Sequence, residues 1–187
     1  MKWVVIFAQL YATVAHWACG HRRKYTGERY IVHPKEVYTL MRRYTANPYV
    51  LAACWLHDVY EDCGWWGKLM LLLFPAEVTT IVLQVSNVSE PGDGNRATRK
   101  KADADHFADG SRDAQNLKVA DVLANTKSIA RDNPKFAPVY LKEKAYLLSK
   151  LTKANIELRR RALDQLRHQG RLLGMEHTEL SVPGVFA

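Results

Sequence analysis

The segment Leu56-His57-Asp58-Val59-Tyr60-Glu61-Asp62 concentrates side chains that ligate metals and move protons. On a helix, His57 and Glu61 are four apart and share a face; so do Asp58 and Asp62, and the two pairs are neighbours around the axis. The preceding run Val50-Leu51-Ala52-Ala53-Cys54-Trp55-Leu56 is almost wholly apolar, which predicts a buried helix. Burying unpaired charge there costs several kcal/mol per group. A divalent cation neutralises such a cluster directly. The plain alternative is an exposed acidic helix end beyond Leu56.

A metal shell needs donors from other elements. His33 precedes Pro34 at a loop-to-helix junction, where a side chain can turn inward over the helix start; a solvated loop histidine is its alternative. Asp121 lies in Lys118-Val119-Ala120-Asp121-Val122-Leu123-Ala124-Asn125, an otherwise apolar helical stretch. An aspartate there is costly unless paired, ligating or turned to the surface. His33, His57, Asp58 and Asp121 together offer two nitrogens and two carboxylates. Completed by water, that set suits Mn²⁺, Fe²⁺ or Zn²⁺ better than Ca²⁺ or Mg²⁺. Open coordination positions mark a catalytic arrangement rather than a closed structural one.

The elements that must position these groups read as all-helical. Apolar spacing and Asn-Pro, Gly and Ser punctuation predict helices near 3–19, 34–45, 48–62, 66–73, 76–86, 96–107, 112–131, 137–151 and 154–169. Pro34 and Pro48 are placed as first helical residues, and Ser111 as a cap. Residues 87–95 are a loop by composition. No repeat or interdomain linker is evident, so the expectation is a single domain over 1–187, with a core from about 3 to 170 and a loose tail over 171–187.

The 187 residues are 48% hydrophobic and 25% charged, which excludes disorder over most of the length. Lys plus Arg number 27 against 19 Asp plus Glu, a net charge of +8 that suits a polyanionic partner. Cys19, Cys54 and Cys63 are odd in number and lack CxxC spacing; this argues against a disulfide framework and a structural zinc site, and fits a reducing compartment. Apolar positions 4, 7, 8, 11, 14, 15 and 18 predict an amphipathic first helix rather than a signal peptide, and no run is long enough for a transmembrane helix. A cytoplasmic protein is expected.

Three blocks now carry a resemblance. The first is Ala15-His16 through Arg23-Lys24-Tyr25-Thr26-Gly27-Glu28-Arg29-Tyr30-Ile31-Val32-His33-Pro34; the second is Ala52 to Asp62; the third is Leu117 to Asn125. In this order the chain resembles the HD-domain metal-dependent phosphohydrolases, and among them the small stand-alone (p)ppGpp hydrolases of the RelA/SpoT type, over about residues 8–150. Arg29 stands where that family usually has Pro, Pro75 in a common "F-G" position, and Cys63 where Thr is frequent. The resemblance implies an HD-domain helical bundle with a central metal site, in which His33, His57, Asp58 and Asp121 hold Mn²⁺ or another divalent transition metal. Glu61 and Asp62 would position or deprotonate the attacking water. Arg23 and Lys24 would contact the nucleotide polyphosphate, with Asn125 and Ser128 on the far wall or simply on a helix surface.

The implied reaction removes the 3′-pyrophosphate of (p)ppGpp, giving GDP or GTP; the length implies hydrolysis without synthesis. A second basic group, Arg96, Arg99, Lys100 and Lys101, either reaches the same anion or is a solvated helix face. The same chemistry on (p)ppApp, NADPH, a deoxynucleoside monophosphate or a cyclic nucleotide is the alternative substrate reading. A basic nucleic-acid-binding module around Arg159-Arg160-Arg161 is the non-enzyme alternative, disfavoured because no nucleic-acid-binding signature accompanies the charge.

Overall fold

The computed structural model describes residues 2–182. Their regular structure is helical; the described residues contain no strand, only an isolated antiparallel bridge between Arg22 and Arg29. The all-α expectation holds. The chain separates into two compact units, one up to Asn87 and one from Val88 onward. The division falls at the start of the polar loop 87–95.

The first unit is built around a helix buried on all sides. Helix α1 spans Lys2–Ala18, α2 Val32–Met41, α3 Pro48–Leu56, α4 Val59–Asp62, α5 Trp65–Leu73 and α6 Ala76–Val85. The Asn47 side chain accepts from the Tyr49 N–H and Pro48 begins α3, as the Asn-Pro pair predicts. Val50, Ala52, Ala53, Cys54, Trp55 and Leu56 are all buried, so α3 receives α1, α2 and α6 on its different faces. The small residues Ala8, Ala12 and Ala15 form the buried stripe of α1. Tyr11 of α1 donates to the Trp66 carbonyl of α5 at 2.7 Å. Gly67 permits the tight α4–α5 turn: a Cβ there would meet the Tyr60 carbonyl oxygen at 2.7 Å.

Two boundaries differ from the periodicity in ways that matter to the site. The expected 48–62 helix breaks at His57-Asp58, where Asp58 (φ −94°, ψ −10°) becomes the residue before α4. The second helix starts at Val32 rather than Pro34, which puts His33 inside its first turn.

The second unit comprises α7 (Arg96–Asp109), α8 (Arg112–Thr126), α9 (Ile129–Asp132), α10 (Ala137–Lys150) and α11 (Ile156–Arg171), followed by a 3₁₀ turn over His177–Leu180. Ser111 caps α8 by accepting from the Ala114 N–H. Helix α8 is buried over nearly its whole length and packs on α11, α7 and α10. The expected 112–131 helix is interrupted at Lys127-Ser128. The segment read as a loose tail is packed as far as it is described: Leu180 and Val182 are buried, and Leu180 lies against Gly170. Residues 183–187 of that tail lie outside the described residues. No helix among the described residues is long and apolar enough to cross a membrane.

Candidate metal centre

The break between α3 and α4 creates the centre. It leaves His57 at the end of a buried helix with Asp58 next to it, and the first turn of α2 brings His33 across. His33 Nε2 and His57 Nε2 are 3.3 Å apart, and Asp58 Oδ2 lies 3.4 Å from the first and 3.3 Å from the second. The corners of such a triangle are about 1.9 Å from its centre, so an ion with metal–nitrogen bonds of about 2.0–2.1 Å fits just off its plane.

The tautomer fits too. His57 Nδ1 lies 2.9 Å from the Cys54 carbonyl, which can only accept. The Nδ1 proton therefore donates there, and the Nε2 lone pair points to Asp58 and His33. Both imidazoles are buried while the Asp58 side chain keeps 17% of its exposure, so the triangle has one open side. The residues present thus fit a divalent ion by donor type, spacing and access.

Tyr30, quoted in the sequence motif but given no role there, completes this centre. Its hydroxyl donates to Asp58 Oδ2 at 2.7 Å. Its ring stacks on His21, centroids 3.7 Å apart, and meets His33 edge-on. The loop 19–31 is thereby tied to His33 and Asp58.

The acidic pair past Asp58 is exposed. The Glu61 carboxylate accepts from the Asn87 backbone N–H at 3.0 Å and from the Asn87 carboxamide. Asp62 Oδ2 lies 3.9 Å from His21 Nδ1. Arg23 lies over the Tyr30 ring at 5.9 Å and Lys24 over Tyr25 at 5.6 Å, both on the loop that carries Tyr30.

Asp121, Asn125 and Ser128 belong to the second unit. Asp121 is buried, with Lys118 Nζ at 3.6 Å and Asn125 Nδ2 donating at 2.5 Å. Ser128 donates to Asp132 at 2.6 Å. The basic 96–101 segment is engaged within its own unit. Arg96 forms a two-pronged pair with Glu143, Arg99 donates to the Gly94 carbonyl, and Lys100 pairs with Asp103 at 2.8 Å. Arg159 is buried and donates to the Leu148 carbonyl, so the 159–161 triplet is not a continuous surface patch.

A second donor cluster, absent from the sequence reading, lies beside Tyr30. His16 Nδ1 is 3.2 Å from His21 Nδ1 and 3.2 Å from Cys63 Sγ. Burial lowers His16 to about 4 and pushes the Cys63 thiol well up.

Comparison with known proteins identifies the family. The HD domain model matches residues 8–120. A probable guanosine-3′,5′-bis(diphosphate) 3′-pyrophosphohydrolase of Mycoplasma pneumoniae is 28% identical over an alignment of 119 residues that covers 59% of this chain and 16% of that relative's length. The chain belongs to the HD-domain family of metal-dependent hydrolases.

Proposed function

We propose that the chain is a cytoplasmic phosphohydrolase that removes the 3′-pyrophosphate of (p)ppGpp, with Mn²⁺ held by His33, His57, Asp58 and Asp121. The observation that carries this is the triangle of His33 Nε2, His57 Nε2 and Asp58 Oδ2, with edges of 3.3–3.4 Å and one open side. Asp121 enters as the fourth ligand through its motif, and the substrate class through the Arg23–Pro34 motif and the name of the Mycoplasma relative.

When bound, the ion screens the phosphoryl oxygens and lowers the pKa of its water. The chain's own groups do the rest. Glu61, pinned by Asn87, orients the attacking water, and the exposed Asp62 takes its proton. Arg23 and Lys24 hold the polyphosphate. Asn125 steadies Asp121 through the bond it already makes, and Ser128 lines the nucleoside side.

The test is pyrophosphate release from ppGpp by the purified protein with Mn²⁺, alongside ppApp, NADPH and a deoxynucleoside monophosphate. Release from ppGpp in preference to the others is expected, and loss of it in Asp58→Ala and in Asp121→Ala. Activity that survives in both variants overturns the metal assignment. Preference for another nucleotide overturns the substrate.

A further inference from the structure

The His16–His21–Cys63 cluster has no part in the hydrolysis just described, and its composition is that of a ligand set. The three donor atoms lie within 4.8 Å of one another. We propose that His16, His21 and Cys63, with water completing the shell, form a second metal site, which takes a thiophilic divalent ion of the Zn²⁺ class and fixes the loop 19–31.

Spacing supports it. In a tetrahedral zinc site with bonds of about 2.0–2.1 Å to nitrogen and 2.3 Å to sulfur, neighbouring donors are about 3.4–3.6 Å apart. Both separations measured from His16 Nδ1 are 3.2 Å, so closing on an ion needs only a small expansion. Chemistry supports it as well. Mixed thiolate and imidazole donors select zinc-like ions over the harder Mn²⁺ of the first centre. His16 is buried, its Nε2 has no hydrogen-bond partner, and its other nitrogen faces His21 and Cys63. An ion has a way in, because a cavity of about 330 Å³ lined by His16, His21, Arg22, Arg29 and Tyr30 opens on the cluster. Binding would release the Cys63 thiol proton to solvent as its sulfur becomes a ligand.

The placement gives the ion work to do. Cys63 follows α4, His16 sits on α1, and His21 lies in the loop that carries Arg23 and Lys24. His21 is the residue on which Tyr30 stacks, and Tyr30 donates to Asp58. An ion here therefore orders the phosphate-facing loop and the partner of a ligand of the first centre without touching the reacting atoms.

The experiment is Co²⁺ titration of the chelator-stripped full chain, followed by optical spectroscopy and metal analysis. The wild type is expected to show a sulfur-to-cobalt charge-transfer band and tetrahedral visible bands at one equivalent of the ion. Cys63→Ser should lose the band yet still bind Mn²⁺, and His57→Ala should keep it. Absence of the band in the wild type, which requires no variant to fold, overturns the proposal; so does a band that persists in Cys63→Ser. Neither outcome depends on hydrolysis, so the proposed function stands or falls separately.

Discussion

Tyr30 does at the scale of one residue what no ligand can do for itself: its O–H fixes the oxygen of Asp58 that faces both imidazoles. Tyr30→Phe keeps the ring on His21 and deletes only that donor. Partners of metal ligands of this kind contribute about 10–100-fold in affinity. Mn²⁺ titration of Tyr30→Phe should show weakening of that order with an unchanged helical spectrum; unchanged affinity would show that the bond does not hold Asp58 in place. Asp103 is the comparable residue in the second unit. It is buried, accepts from the N–H groups of Val88 and Ser89, and pairs with Lys100. Burial alone would raise its pKa, but the bonds from Lys100 and Ser89 outweigh it and the net shift is downward. The unfolded chain therefore takes up the proton at higher pH than the folded one. The stability from Asp103 is complete above the unfolded value of about 3.9 and is lost as pH falls through the lower folded value. Urea unfolding should find Asp103→Asn weaker by about 1–3 kcal/mol at neutral pH, with a shallower loss below about pH 4 than the wild type.

At the scale of elements, the α4–α5 turn depends on an absent methyl group. In Gly67→Ala the new Cβ would lie 2.7 Å from the Tyr60 carbonyl oxygen and 2.8 Å from Tyr60 Cα, and backbone cannot yield as a side-chain tip can. Overpacking of this kind costs about 1–3 kcal/mol, which exceeds the gain of about 1 kcal/mol from replacing a helical glycine. Thermal unfolding should report net destabilisation, and, on the proposed function, pyrophosphate release should fall because α4 carries Glu61 and Asp62. The same region shows what the residue pattern could reveal. Apolar spacing located every long helix because burial of one face follows from local sequence. It could not locate the break at His57-Asp58, since both residues stay in helical φ/ψ and only the hydrogen-bond pattern lapses. Nor could it link Glu61 to Asn87, 26 positions away, or Cys63 to His16, 47 away, because such pairs exist only once the helices pack. The candidate donors His33, His57 and Asp58, which the structure brings together, are legible in the sequence because metal chemistry restricts residue type as well as position.

For the molecule as a whole, metal binding and stability are one equilibrium. An ion that binds only the folded chain adds RT ln(1 + [L]/Kd), about 2.7 kcal/mol at a hundredfold excess over Kd. For a chain of this size that corresponds to a rise in melting temperature of about 5–10 °C. Mn²⁺ is the informative ion, because oxygen and imidazole donors accept it while the sulfur-containing cluster favours zinc-like ions. Calorimetry of the stripped protein should thus show the rise with Mn²⁺, and a chelator should reverse it. His57→Ala should remove the rise, whereas Cys63→Ser should preserve it. The His33–His57–Asp58 triangle lies within the first compact unit, so the transition that moves must include the unfolding of residues up to Asn87. A melting temperature indifferent to Mn²⁺, or a rise that persists in His57→Ala, would mean that the ion's stabilising contacts lie elsewhere and that the triangle is a hydrogen-bonded cluster of side chains rather than a metal centre.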